Sequence, residues 1–502
     1  MGNLRRLLWC ALLLCTTACS RDTAPEIRIM NNHSEALFIW AERGVKNRVV
    51  VHVDAHSDFR HIPDPDLAAA LELLRAGRRD ELRKRTNSGA DELVTLGNYL
   101  FAAAKAGMAR EIYWVSDVFP IASEAAAVAM KQQLLSDGLP RDEIERTFRF
   151  SDGRVSVTLY GVPFTVTSSG SLPRSSEPVL LDIDIDYFVR LLEINPGKTL
   201  FDHVADFRRD LLAARLSFDI VTIARSLDMD YTPLEYSRLA EAMRELTANP
   251  RRELTGPFWA AFRGYSEADA LFRAGRLPEA LAANRALRER NPQEPALHYQ
   301  AARILAAQGD AAGALQQAEE AGRLDRDYVR GLATLGLLFV ENNRPQAEAF
   351  FAAAGRLAPQ DRVVSEKRAE LYYNNGQYRE AVAEYGKIYN GSFVLNMYLG
   401  DAHLQLRNYS TALAYYDRGL TQLRSSSNFK PAPVATSFLL LGDYYRTVGR
   451  DPVRARQFFA LYLAIPRTAT AQQEAVAQVR QLGVTASPAV SWTDIPHARS
   501  SQ

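Results

Sequence analysis

Residues 48–58 read RVVVHVDAHSD, an apolar run that ends in three metal-competent side chains spaced two apart. Val49–Val53 has the β-branched density of a strand covered on both faces, which suits a parallel sheet. Asp54, His56 and Asp58 follow it, and extended spacing would put all three on one face. Working outward, Glu111–Val115 (EIYWV), Pro178–Asp184 (PVLLDID) and Phe218–Ala224 (FDIVTIA) have the same strand character. Helical stretches such as Asp64–Arg75 and Glu124–Ser136 alternate with them. Strand and helix in alternation over about 27–255 predict a three-layer α/β sandwich around a mainly parallel sheet. The short β-like pieces of 143–167, around Gly153 and Gly161, read as a hairpin insertion.

A second acidic cluster, LDIDIDYF, spans 181–188. Asp182, Asp184 and Asp186 alternate at the end of the apolar run Val179–Leu181. Like charges a few ångströms apart repel by several kcal/mol at an effective dielectric of about 20. A bound divalent cation relieves that repulsion; raised pKa values with proton sharing are the alternative. Open α/β sheets bind ligands beyond the carboxyl ends of their strands, where both clusters fall. His33 (NNHSEALFIW) lies between the β-like run Ile27–Met30 and an amphipathic helix. Turn and cap residues with partners elsewhere are the structural reading of the same motifs.

Together these three pieces resemble the arginase/agmatinase and histone-deacetylase (ureohydrolase) superfamily. Asp54-Ala55-His56-Ser57-Asp58 matches its first motif, Asp184 and Asp186 its second, and His33-Ser34 its third, with Asp182 where ureohydrolases tend to carry Ser. The resemblance covers about 27–240. It implies an arginase-like fold and a two-metal centre held by His33, Asp54, His56, Asp58, Asp184 and Asp186, with Asp58 and Asp186 bridging. Oxygen-rich ligation suits Mn²⁺, with Zn²⁺ or Fe²⁺ as alternatives, and a paired site activates water. No Asp-Pro follows the second cluster, and no histidine stands where ureohydrolases keep their proton shuttle. His61 is close to the first motif but does not match that position. The pattern therefore looks closer to an uncharacterised branch, and arginase activity does not follow from it. Asp228–Glu235 (DMDYTPLE) loosely resembles the deacetylase segment whose Tyr polarises a carbonyl. That makes Tyr231 the catalytic candidate, with Arg225 and Glu235 as weaker candidates for substrate contact. The implied activity is hydrolysis of a non-peptide C–N bond in an amide, amidine or guanidine. The alternative is a non-enzymatic envelope scaffold with a structural or vestigial metal site.

After about 255, Ala and Leu dominate and helical periodicity takes over. A turn residue recurs five positions before a small helix residue: Gly275–Ala280, Gly309–Ala314, Asn342–Ala347, Gly376–Ala381 and Arg407–Ala412, at spacings of 34, 33, 34 and 31. A further unit surrounds Gly449–Ala455. A period near 34 built from two helices is the signature of tetratricopeptide (TPR) repeats, whose units bury their apolar faces against one another. Residues 256–485 are expected to form such an all-α solenoid, with a protein or peptide partner on its concave face. Residues 486–502 read as a flexible tail.

All three cysteines, Cys10, Cys15 and Cys19, lie in the first 19 residues, which excludes disulfides and Cys-based zinc sites from the rest of the 502-residue chain. Arg5 and Arg6 precede the apolar stretch Leu7–Cys15, which is too short to span a bilayer and is suited to a signal peptide over 1–19. Thr16-Thr17-Ala18-Cys19 resembles a bacterial lipobox, making Cys19 the lipidation candidate and 20–26 a linker. Lipid-anchored membrane attachment in the bacterial cell envelope is expected, with a soluble periplasmic protein as the alternative. A net charge of +1 gives no global field for nucleic acid.

Overall fold

The computed structural model describes residues 24–87, 92–119, 121–227, 232–340, 344–425, 434–465, 469–484 and 498. The segment 1–19 expected to be a signal peptide, with Cys19, as well as Tyr231 and all of the expected tail 486–502 except Ala498, lie outside them. Among the described residues, no helix is long and apolar enough to cross a membrane.

Eight strands among the described residues form one mixed sheet: β1 (Glu26–Met30), β2 (Arg48–Val53), β3 (Ala109–Val115), β4 (Arg149–Ser151), β5 (Arg154–Leu159), β6 (Val162–Thr167), β7 (Val179–Asp184) and β8 (Phe218–Ala224). Their order is β1-β8-β7-β2-β3-β6-β5-β4. The pairings from β1 through β6 are parallel, and β5 and β4 add an antiparallel edge. The expected hairpin insertion is corrected here. β6 pairs in parallel with β3 inside the sheet, so only β4 and β5 are peripheral.

The central strands β2, β7 and β8 are buried on both faces over most of their length, as their continuous apolar runs require. Val51, Val53, Leu181 and Ile183 pack on one side against Phe188, Phe207 and Met243. Val50, Ile112, Trp114 and Leu180 pack on the other against Phe38, Tyr99 and Phe101. The sheet is thus the middle layer of three. Four adjacent strands, β1, β8, β7 and β2, point their carboxyl ends at one place.

Among the described residues, six helix pairs follow: Pro257–Arg273 with Leu277–Arg290, Pro295–Ala307 with Ala311–Leu324, Val329–Leu337 with Arg344–Leu357, Arg362–Asn374 with Tyr378–Lys387, Phe393–Gln405 with Tyr409–Ser425, and Ala435–Thr447 with Pro452–Ala464. A further helix is Ala469–Gln481. The turn residues Gly275, Gly309, Gly376 and Arg407 adopt positive φ, and the alanines five positions on are completely buried. Close helix approach explains the small residues. A Cβ on Gly331 would stand 2.2 Å from the buried Tyr299 ring, and one on Gly442 2.6 Å from Phe459. The first pairs are not a separate body. Tyr265, Leu297, Tyr299 and Leu332 belong to the same apolar core as the sheet face carrying Val51 and Leu181.

Asp401, on the helix Phe393–Gln405, is buried and accepts hydrogen bonds from Tyr416 Oη (2.6 Å) and Ser437 Oγ (2.7 Å). Burial pushes its carboxyl up to about 7, although both hydroxyls pull it down. The folded chain therefore keeps a proton that the unfolded chain releases at about pH 4. Repeat stability should fall as pH rises between about 4 and 7, by up to about 4 kcal/mol. Asp401→Asn should flatten that dependence. The check is the urea midpoint of the repeat transition at pH 5 and pH 7.5; an unchanged slope in the variant would refute this assignment.

Candidate metal centre

The carboxyl ends of β1, β2, β7 and β8 bring the sequence-selected side chains together. The polypeptide leaves β2 after Val53 in a tight loop, because Asp54 Oδ1 accepts the His56 amide at 2.6 Å and so competes with the strand ladder. The expected single strand face for Asp54, His56 and Asp58 is therefore corrected: they lie on a coiled loop, with Asp58 at φ 46°. Likewise β7 stops at Asp184, whose Oδ1 accepts the Asp186 amide at 3.0 Å, and Asp186 opens the helix Asp186–Ile194. Only Asp182 and Asp184 share a strand face.

His33, in the turn after β1, is the hub. Its Nδ1 stands 3.0 Å from Asp54 Oδ2, 3.2 Å from Asp184 Oδ2 and 3.4 Å from Asp58 Oδ2. A second group forms beside it. His56 Nδ1 lies 2.9 Å from Asp186 Oδ2 and 3.5 Å from Asp54 Oδ1. Asp54 thus faces both groups with its two oxygens, while Asp58 approaches His33 and Asp186 approaches His56.

The donor geometry decides what such a cluster can hold. His33 Nδ1 and Asp54 Oδ2 are buried without a hydrogen-bond partner despite their proximity. Such atoms are costly unless something else satisfies them. His33, Asp54, Asp184 and Asp186 are each less than 5% exposed, whereas the His56 side chain is half-exposed and forms the open side. One imidazole with three carboxylate oxygens, beside a second imidazole with two, is a donor set that fits divalent cations with oxygen preference.

The charges cannot all coexist unaided. Burial and the neighbouring Asp54 push Asp58 up, and burial with Asp184 and Asp54 pushes Asp186 well up. Burial opposes ionisation of Asp54, but His33, His52 and His56 hold it below the usual carboxylate range. Burial likewise opposes protonation of His33, yet Asp182, Asp184 and Asp54 hold it well above an ordinary imidazole. The hydrogen bond to Asp186 brings His56 to about 11.

His52, Tyr99, Thr222 and Ser226 were not singled out from the sequence, and Asp182 was read there only as part of the acidic cluster. His52, Asp182 and Thr222 stand in register across β2, β7 and β8. The completely buried Asp182 accepts from His33 Nε2 and His52 Nδ1, each at 3.0 Å, from Tyr99 Oη at 2.5 Å, and from Thr222 Oγ1. This leaves His33 Nδ1 turned toward the carboxylates, as an outer carboxylate orients a ligating histidine. Ser226, at φ 48°, donates to Asp184 Oδ2. A polar residue on a fully buried strand was the signal available for Asp182, since it demands partners nearby.

Other sequence candidates lie elsewhere. Glu235 pairs with Arg303 at 2.8 Å, and Arg225 with Glu241 at 2.8 Å and Asp327 at 3.1 Å. The Asp327 and Arg303 contacts join the sheet domain to the helix pairs. The His61 ring packs with Phe101 and Tyr160. Tyr231 is outside the described residues, but the amide of Thr232 donates to the Ser226 carbonyl at 3.0 Å.

A family model of YpiA-like tetratricopeptide repeats matches residues 347–393. Among solved structures, the chain is similar to the C-terminal part of a TPR repeat-containing protein from Cytophaga hutchinsonii, at 18% identity. That match covers 47% of this chain and 94% of that one, with a TM-score of 0.35. A tetratricopeptide repeat protein from Parabacteroides merdae is 16% identical over 56% of this chain and 98% of its own, at TM-score 0.30. PilF of Pseudomonas aeruginosa is 18% identical over 44% and 97%, also at 0.30. No curated protein matches. The C-terminal helix pairs contain tetratricopeptide repeats, an architecture suited to protein interaction.

Proposed function

We propose that this chain is a metal-dependent hydrolase of a C–N bond in an amide, amidine or guanidine, in an arginase-like domain joined to a partner-binding repeat stack. The observation that carries the reading is the convergence on His33 Nδ1 of three carboxylate oxygens, with Nδ1 itself and Asp54 Oδ2 buried and without a hydrogen-bond partner. His33, Asp54, Asp58 and Asp184 would hold one divalent cation, and Asp54, His56 and Asp186 a second, Mn²⁺ being the best chemical match. Cations bound there would polarise the scissile group and activate water at neutral pH.

The protein's own groups set the rest. Asp182 fixes the orientation of His33, and Ser226 that of Asp184. The half-exposed His56 marks the side on which substrate arrives. Tyr231, one residue from the Thr232 amide tied to Ser226, is assigned the hydrogen bond to the developing oxyanion. The repeats hold a protein or peptide partner, and lipidated Cys19 tethers the chain in the bacterial envelope.

The depth of the cluster favours a second reading, a structural metal in an envelope scaffold. One assay separates the two. The Mn²⁺-loaded chain is incubated with panels of N-acyl amines, amidines and guanidines, and release of amine, ammonia or urea is followed. Turnover that disappears in Asp54→Ala is expected. Mn²⁺ binding with no release above that variant would leave the scaffold reading.

A further inference from the structure

We propose that the second and third helix pairs are a working part of the candidate metal centre, with Asp327 as the positioning residue. Asp327 lies in the turn Arg326–Tyr328, between the helices Ala311–Leu324 and Val329–Leu337. Its Oδ2 accepts from Asn31 Nδ2 at 3.3 Å and from Arg225 Nη1 at 3.1 Å. Asn31 is two residues before His33. Arg225 directly precedes Ser226, whose hydroxyl donates to Asp184. One repeat carboxylate therefore grips both chain segments that leave β1 and β8 for the site.

Those segments are almost two hundred residues apart in sequence. They meet through the β1–β8 ladder and the Arg225 amide, which donates to the Met30 carbonyl at 2.8 Å. Asp327 joins them a second time, from outside the sheet. Its own turn is fixed in two ways. Asp325 Oδ1 accepts the Asp327 amide at 3.0 Å, and buried Tyr328 shares a 2.8 Å hydrogen bond with Ser237. Arg225 is held from its other side by Glu241 at 2.8 Å. The Arg225 and Asp327 side chains are 19% and 30% exposed, so water screens the pair only in part. The apolar core running from the sheet into these helix pairs makes the coupling mechanical as well as electrostatic.

It follows that a partner that shifts this turn alters the affinity of the centre for metal, and metal alters partner affinity by the same factor. The metal arm of the inference rests on the reading above; its structural arm does not. The test uses the full chain with Asp327→Ala, Asp327→Asn, Arg225→Ala and the double alanine variant. Arg303→Gln, which breaks a different contact of the same seam, is the control.

In metal-free protein, Asp327→Ala should raise hydrogen exchange at residues 31–36 and 225–227 by about tenfold. In calorimetric titration with Mn²⁺ it should weaken binding about 3- to 10-fold, with Asp327→Asn between it and the wild type. The double variant should lose no more than either single one. Arg303→Gln should leave exchange at both segments and Mn²⁺ affinity unchanged. Unchanged exchange at both segments in folded Asp327→Ala would overturn the proposal, as would an equal effect from Arg303→Gln. A wild-type chain that binds no Mn²⁺ would refute the metal reading instead, and the exchange arm would still decide the role of Asp327.

Discussion

Changing Asp54 and Asp184 together to alanine should abolish stabilisation of the chain by Mn²⁺. In the wild type, Mn²⁺ at about a hundred times its dissociation constant should add about 2.7 kcal/mol to the sheet domain. For a unit of this size that raises Tm by about 5–10 °C. Asp54 offers its two oxygens to both groups, and Asp184 Oδ2 faces His33. The double change removes oxygen donors from around both imidazoles at once, leaving one carboxylate beside each, Asp58 at His33 and Asp186 at His56. Calorimetric scans with and without Mn²⁺, both with the fold checked by circular dichroism, give the comparison. A variant that keeps even half of the wild-type shift would show that the metal binds elsewhere, and the hydrolase proposal would fall with it.

The strands could be read from sequence because each is a short apolar run with no competing local pattern. Val49–Val51 and Val179–Leu181 have no polar side chain for the backbone to bond to instead. Beyond Val53 and Asp184 the reading failed for a physical reason. Asp54 and Asp184 bond amides two residues ahead, which ends the ladder and turns the chain. Alternate spacing survives in the sequence while the strand that would give it meaning has stopped. The repeats were legible through turn and small-residue positions. At Gly449–Ala455 the spacing is six, and the left-handed residue is Arg450, five before Ala455. His52, Tyr99 and Thr222 were hidden because their shared partner, Asp182, is 40 to 130 residues away along the chain. Composition cannot reveal such a pairing; cross-strand register can.

Asp182→Ala should be the most damaging single change in the sheet domain, costing about 3–5 kcal/mol. Asp182 is completely buried, and two imidazoles and two hydroxyls donate to its carboxylate. Truncation leaves four donors without that acceptor in a place water does not reach, and the full desolvation cost of each then counts against folding. Asp182 is also the counter-charge for His33 and His52, both held above their ordinary pKa by carboxylates that outweigh burial. Asp182→Asn keeps one accepting oxygen and loses the charge, so its cost should be smaller than that of alanine. Urea unfolding of metal-free protein ranks the three. Because Asp182 turns His33 Nδ1 toward Asp54 and Asp184, the alanine variant should also weaken Mn²⁺ binding about 10- to 100-fold. An alanine variant within 1 kcal/mol of wild type, on the scale just given, would mean that the four donors find other acceptors. Undiminished Mn²⁺ affinity would mean that His33 keeps its orientation without Asp182.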